Sequence, residues 1–312
     1  MRVAFWGLGS IAKRHIRNIY TILKQGGDTP KIDVFRHKKR QIQEADIREM
    51  VTGVYSQNEL EDKYYDIIFI TNPTAQHFET IKMCVPHTDH MFIEKPVFEK
   101  YSENIADLKL KRNSVYYVAC PLRYTSVIQY IKNNIDLSSV FSVRAISSSY
   151  LPDWRPGTDY RKTYSAHKEL GGGVAIDLIH EWDYLTNLFG IPEKVLYVGG
   201  KFSDLEIDSD DLAVYTGIYK DRIIELHLDY FGRKTSRELT LYTSEEIISA
   251  DLVNGKINYL KSGETVDVHE ERDNYQKREL QHFLDIVDGK VINDSTVEHA
   301  VKVLKIAKNH GE

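Results

Sequence analysis

The run Arg2-Val3-Ala4-Phe5-Trp6-Gly7-Leu8-Gly9-Ser10-Ile11-Ala12 sets the fold class of this 312-residue chain. A short strand-like stretch leads without a break into G-x-G-x-x-A, and apolar positions at Ile16, Ile19, Tyr20 and Leu23 follow at helical spacing. Strand, glycine turn and helix in that order make a cradle for a dinucleotide. The first glycine permits the tight turn, the second lets the backbone approach a pyrophosphate, and a small residue at position 12 lets helix and strand pack closely. Gly7, Gly9, Ser10, Ile11 and Ala12 are therefore candidate cofactor contacts, with the first N–H groups of the helix aimed at the phosphates. The helix stops at Gly26-Gly27-Asp28-Thr29-Pro30.

The alternation continues outward from this start. Lys31 to Phe35 reads as a strand, Ile42 to Met50 as a helix, Asp66 to Ile70 as a buried strand and Ala75 to Met83 as a helix. Asp89 to Ile93 is the next strand, Glu103 to Lys111 a helix capped by Ser102, and Val115 to Ala119 closes the set. Such alternation predicts a parallel, doubly wound sheet. Ligands of an open α/β sheet lie beyond the carboxyl ends of its strands. That places Thr71, Asn72, Pro73 and His77 after one strand, and Glu94-Lys95-Pro96 after another, in the candidate cofactor site. A lysine at a strand end is in position to do chemistry. The second strand runs into Arg36-His37-Lys38-Lys39-Arg40, with no acid until Glu44. A free 2′-hydroxyl normally meets Asp or Glu here and a 2′-phosphate meets Arg. Arg36 and His37 thus favour NADP over NAD. Arg123, at the exit Cys120-Pro121-Leu122-Arg123-Tyr124, completes the cofactor set.

The second half is different. A helix over Arg123 to Asn133 and a long strand over Val140 to Tyr150 precede a loop, Leu151 to Arg161, rich in aromatic rings and fixed charges. Trp154, Tyr160, Arg161, Tyr164 and Lys168 are candidate substrate contacts, and Arg155, Arg161 and Lys168 suit a negatively charged ligand. Gly171-Gly172-Gly173 opens a helix predicted over Val174 to Phe189, with Ile176, Ile179, Trp182, Leu185 and Leu188 as its apolar stripe. Asp177 and His180 are three apart and neighbours on that helix. A carboxylate beside an imidazole orients it and raises its basicity, as a general base requires. Strand-like runs then dominate: Val195 to Val198, Leu212 to Tyr219, Ile223 to Tyr230, Glu238 to Thr243 and Ile247 to Leu252, with a hairpin signal at Asn254-Gly255. They predict a mainly antiparallel sheet in an α+β domain. Helical patterns over Tyr275 to Val287 and Thr296 to Asn309 end the chain. The expected domains are 1–121 and 122–312, with the last helices packing back on the first.

Bulk properties exclude several classes. Hydrophobic residues at 42% and charged ones at 28% describe a globular protein, and a net charge of −5 offers no footprint for nucleic acid. No apolar run reaches the roughly 18 residues of a membrane span. The start carries no long apolar core or cleavage site of a signal peptide, so a cytoplasmic protein is expected. Cys84 and Cys120 sit in apolar contexts that suit buried thiols, and the 12 histidines show no zinc-type spacing, so no metal is expected.

Three motifs stand in order: G-x-G-x-x-A at 7–12, Glu94-Lys95-Pro96, and Gly171-Gly172-Gly173 leading to Asp177 and His180. Over nearly the whole chain this resembles the glucose–fructose oxidoreductase/inositol dehydrogenase (Gfo/Idh/MocA) family. The resemblance implies a Rossmann domain followed by a domain built on a large open antiparallel sheet. The outer face of that sheet would pack against a second subunit, in a homodimer or homotetramer, and the Lys95–Pro96 bond would be cis. It also implies an NAD(P)-dependent dehydrogenase acting on a CH–OH group of a sugar, sugar derivative or nucleotide sugar. Lys95 would lie near nicotinamide and substrate, His180 would be the acid/base, and Asp177 would support it. One departure stands out. The family more often has D-x-x-x-H, whereas Asp177-Leu178-Ile179-His180 is one residue shorter, so that Glu181 takes the place a gapless count gives the histidine. Alignment on His180-Glu181-Trp182-Asp183, the family's H-x-x-D, selects His180 and leaves the role of Asp177 open. Two rival functions are a non-catalytic dinucleotide sensor and a redox-neutral elimination or hydrolysis with tightly held NAD.

Overall fold

The computed structural model describes residues 1–38 and 41–308. In chain order it contains β1 (Arg2–Trp6), α1 (Ser10–Gln25), β2 (Lys31–Arg36), α2 (Ala45–Met50), β3 (Val51–Ser56), β4 (Tyr65–Ile70), α3 (His77–Cys84), β5 (Thr88–Ile93) and β6 (Tyr116–Val118). Then follow α4 (Ser126–Asn134), β7 (Val140–Tyr150), α5 (Val174–Asp177), α6 (His180–Phe189), β8 (Lys194–Gly200), β9 (Leu212–Ile218), β10 (Ile223–Asp229) and β11 (Phe231–Thr243). Last come β12 (Ile247–Asp251), β13 (Lys256–Tyr259), β14 (Thr265–Asp267), α7 (Arg272–Val287) and α8 (Val297–Ala307). Two units result: Met1–Ala119 with Arg272–Val301, and Cys120–Glu271 with the stretch beginning at Lys302. Lys39, Arg40 and Asn309, which the sequence reading used, lie outside the described residues.

In the first unit six parallel strands stand in the order β3-β2-β1-β4-β5-β6. The chain winds one way from β1 and the other way from β4, so the crevice between their carboxyl ends is the switch point where such sheets bind ligands. The strands are near-continuous apolar runs because helices cover both faces. Phe5, Phe69 and Phe92 are fully buried and stack in series, with ring centroids 4.5 and 5.0 Å apart. Phe283 of α7 meets Phe92 at 5.4 Å and Tyr117 at 5.6 Å, so a helix from near the end of the chain seals this core.

Three local expectations are corrected. The helix expected from Ile42 begins only at Ala45, and the residues after it form β3, a strand unread in the sequence because Gly53 interrupts its apolar run. The helix expected over Glu103 to Lys111 is one 3-10 turn, Ile105–Leu108. Asn104, not Ser102, caps it by accepting from Ala106 N (3.2 Å), and Lys109 at φ 52° ends it; Leu108 is its one buried residue, too little apolar face to hold a longer helix. The single helix expected from Val174 is two, α5 and α6, broken at Leu178 (φ −98°, ψ 24°).

The second unit is an eight-stranded sheet, β14-β13-β12-β11-β7-β10-β9-β8, antiparallel at every step except β7 beside β10. Period-two alternation sends Val143, Ala145, Leu226, Leu239 and Leu241 to a face where each is at most 2% exposed. Trp182 of α6 packs there, edge-on to Tyr215 of β9 at 5.6 Å. Ile146, Leu196, Val198 and Ile223, large apolar residues, stand exposed on the sheet.

Candidate active site

Backbone bonds lace the carboxyl edge of the parallel sheet together. Gly7 N donates to Phe35 O (2.9 Å), Thr71 N to Trp6 O (3.0 Å) and Glu94 N to Ile70 O (3.0 Å). The turns after β1, β4 and β5 therefore open on one edge. Gly7 has φ +101°, and a β-carbon there would lie 2.9 Å from Thr71 O, so no other residue fits the turn. At Gly9 the same construction meets nothing within 4 Å. Gly9 begins α1 with no side-chain cap and no acid in the first turn, which leaves its leading N–H groups to a ligand on the open side. This edge fits the pyrophosphate of a dinucleotide. β2 ends on Arg36, followed by His37 and Lys38, and Glu44, the first acid beyond, is held by Lys13 of α1.

Two buried imidazoles, each 1% exposed, bracket the turn after β5. His15 of α1 holds Glu94 Oε1 at 2.6 Å, while Glu94 Oε2 accepts from the backbone N–H of Lys95 (3.2 Å). His77 of α3 places Nε2 3.0 Å from Asn72 O, and Nδ1 3.1 Å from Pro96 O and 3.2 Å from Val97 O. His77 thus ties the Thr71-Asn72-Pro73 turn to the Glu94-Lys95-Pro96 turn, and its burial lowers its pKa in spite of the carbonyls around it. Burial also works against the charge on Glu94, yet the hydrogen bond and charge of His15, with Lys95 adding, hold its carboxyl below the usual range. The Lys95–Pro96 peptide is cis, as the resemblance implied. His15 was missed from sequence, although its signal was present: Ala12, His15, Ile16 and Ile19 form the buried face of α1, so a histidine points inward.

In the second unit Asp177, 6% exposed, accepts hydrogen bonds from two phenols, Tyr164 (Oδ1, 2.5 Å) and Tyr230 (Oδ2, 2.5 Å). Burial first, then the Asp177 charge, pushes both phenol pKa values up, so each remains a donor at neutral pH. Tyr230 carries Trp154 edge-on at 5.2 Å, and the Trp154 indole donates to Ser149 (2.9 Å). His180 opens α6, partly exposed, three residues before Asp183. Arg123, expected at the cofactor, is 2% exposed and grips Asp183 bidentately at 2.6 and 2.8 Å. Glu181 is fully buried and paired with Arg237 (2.8 Å), a pairing the sequence reading missed. In the loop Tyr160 accepts from Glu206 N (3.2 Å), Arg161 is taken up by Asp159 (2.9 Å) and Glu206 (3.1 Å), and the Lys168 backbone N–H donates to Asp208 (2.7 Å). Among the described residues no cluster of His, Cys, Asp and Glu could hold a metal, and both cysteines are buried and unbridged.

Comparison with known proteins follows the same division. Residues 1–118 match the GFO_IDH_MocA model, an oxidoreductase family with an NAD-binding Rossmann fold. An uncharacterised oxidoreductase of Bacillus subtilis, YrbE, is 26% identical over 270 residues, 79% of this chain and 76% of that protein. The 2,7-anhydro-N-acetylneuraminate hydratase of Escherichia coli is 25% identical over 144 residues, 45% of this chain and 38% of that protein. The structure of levoglucosan dehydrogenase with NADH superposes with a TM-score of 0.82 over 100% of this chain and 98% of that one, at 16% identity. With the parallel sheet, its glycine turn and the Glu94-Lys95-Pro96 edge in place, residues 1–118 are similar to the NAD-binding Rossmann domain of the Gfo/Idh/MocA oxidoreductase family.

Proposed function

We propose that this enzyme moves a hydride between the nicotinamide of NAD(P) and a carbinol carbon of a sugar, sugar derivative or nucleotide sugar. The observation that carries the reading is the edge on which the open glycine turn and Glu94-Lys95-Pro96 both emerge. When bound, the nicotinamide supplies the acceptor for the hydride that leaves as the carbinol C–H bond breaks. His180 takes the hydroxyl proton as the carbonyl forms, and Lys95 stabilises the charge that develops on the oxygen. Asp177 stands with His180 in the proton-transfer group and Glu94 sets the position of Lys95. Gly7, Gly9, Ser10, Ile11 and Ala12 hold the pyrophosphate, while Thr71, Asn72, Pro73 and His77 shape the nicotinamide side. Arg36 and His37 favour NADP, and the retention of Glu44 by Lys13 supports that preference. Trp154, Tyr160, Tyr164 and Lys168 line the sugar; Arg161, already held by two carboxylates, shapes the loop.

Lys95→Ala and His180→Ala are each expected to lower turnover about 10²- to 10⁴-fold while leaving NADPH affinity nearly intact. The check is nicotinamide absorbance across a panel of sugars, with fluorescence titration for binding. Full turnover in both variants overturns the assignment. Titration with NADPH and NADH tests the preference for NADP: equal affinities in the wild type, or no loss of NADPH affinity in Arg36→Ala, remove it.

The similarity to the anhydro-neuraminate hydratase favours a second reading, redox-neutral elimination or hydration with retained NAD. Cofactor that survives gel filtration and shows no net redox change during turnover supports it. We propose further a homo-oligomer through the outer face of the eight-stranded sheet and a cytoplasmic location; no helix among the described residues is long and apolar enough to cross a membrane.

A further inference from the structure

Asp177 is held by two stretches of chain that are remote from it in sequence. Tyr164, 13 positions before it in the loop, donates to Oδ1, and Tyr230, 53 positions after it and just past β10, donates to Oδ2, both at 2.5 Å. Tyr230 is fully buried, whereas Tyr164 is 44% exposed. Each donor is fixed at its own backbone. Tyr230 N donates to Asp211 O (3.0 Å) and Tyr230 O accepts from Leu151 N (2.9 Å), while Tyr164 O accepts from His167 N (3.0 Å). The Trp154 ring stands edge-on to Tyr230, and its N–H is spent on Ser149. Asp177 closes α5, and the backbone leaves helical geometry at the next residue, Leu178.

We infer that Tyr164 and Tyr230 are positioning residues, which fix the Asp177 carboxylate in one orientation for the proton transfer at His180. This role rests on the proposed hydride transfer, in which Asp177 stands with His180. The terminal torsion of an aspartate is broad, and a single donor still lets the carboxylate pivot. One donor on each oxygen, each from a separately anchored segment, removes that freedom. Hydrogen bonds to a charged acceptor are also the stronger ones, and each oxygen keeps a second lone pair for a donor on the reacting side. Structural pairs among the described residues are built differently: Tyr65 meets Asp33 (2.9 Å) and Tyr64 meets Asp89 (2.6 Å), one phenol to one carboxylate. With its hydroxyl committed to Asp177, Tyr164 offers the sugar its exposed ring.

The test pairs kinetics with NMR of protein isotope-labelled at tyrosine Cζ, the carbon that bears the hydroxyl. Tyr164→Phe and Tyr230→Phe each delete one resonance and so identify it. Asp177→Ala is expected to shift both of those resonances and to leave that of Tyr64 in place. In turnover, each Tyr→Phe variant should lower kcat about tenfold to a hundredfold, with the KM for the sugar and the NADPH affinity changed by less than about twofold. A cooperative melt identifies folded variants, and Tyr164→Phe, at an exposed residue, keeps the test readable where Tyr230→Phe does not fold. Resonances unmoved by Asp177→Ala, full kcat in folded Tyr164→Phe, or a loss confined to KM overturns the assignment. Failure of the hydride-transfer reading shows differently: Asp177→Ala still moves both resonances, while the wild type turns over no sugar.

Discussion

His15 illustrates how one side chain joins two motifs that are 79 positions apart. Its ring lies among Phe69 and Phe92, at 5.8 and 5.0 Å, and its Nε2 holds the Glu94 carboxylate whose other oxygen meets Lys95 N. His15→Leu keeps the apolar volume and leaves a buried acceptor unpaired, a loss of about 1–3 kcal/mol that urea unfolding will measure. His15→Gln, which can still donate, should recover part of it. The same pair predicts a pH effect. A carboxyl depressed on folding contributes stability above its unfolded pKa of about 4.3, and the contribution is lost as pH falls through the lower folded value. Wild-type stability is therefore expected to decline below about pH 4 more steeply than that of Glu94→Gln. Equal slopes would show that Glu94 is not depressed.

At the scale of elements, α6 is the piece whose placement the proposed chemistry needs, because His180 is its first residue. The bidentate Arg123–Asp183 pair anchors it, buried at 2% and 15% side-chain exposure. Removing one partner of such a pair leaves a buried charge behind, so Asp183→Asn should cost about 3–5 kcal/mol by denaturant unfolding. Arg123→Met combined with Asp183→Leu should recover most of that loss. Most of the strands were legible because their patterns are local: continuous apolar runs in the parallel sheet, alternation in the other; β3, β13 and β14 were not. The break at Leu178 was not. It accompanies the capture of Asp177 by Tyr164 and Tyr230, 13 and 53 positions away, and helical periodicity carries no record of partners so distant. For the same reason sequence spacing paired Asp177 with His180 and gave no sign of the bonds that Tyr164 and Tyr230 make to Asp177. The glycine turn and Glu94-Lys95-Pro96 were readable because their chemistry is written in consecutive residues.

The whole molecule is organised by a chain that leaves its first unit at Ala119 and returns to it at Arg272. Fold class followed from the alternation of elements, but the membership of α7 depends on Phe283 finding the Phe92 and Tyr117 rings. Residues 1–121 expressed alone should therefore expose that aromatic surface and aggregate or bind a hydrophobic dye. A fusion of 1–119 to 272–301 through a flexible linker should restore a soluble fold with a cooperative melt. A cooperative melt from 1–121 alone would show that α7 is dispensable.

This discontinuity also sets a timetable. On a ribosome the six strands and their glycine turn are all made early, yet the helix that seals their core follows about 150 residues later. At translation rates of about 5–20 residues per second, the nascent parallel sheet waits roughly 10 to 30 s with Phe92 and Tyr117 uncovered. In that interval the intervening stretch, Cys120–Glu271, has been synthesised in full and its strands can begin to pair. The unit begun first is thus left open until most of the second has been made, and its exposed aromatic face is the natural point of engagement for a chaperone during synthesis.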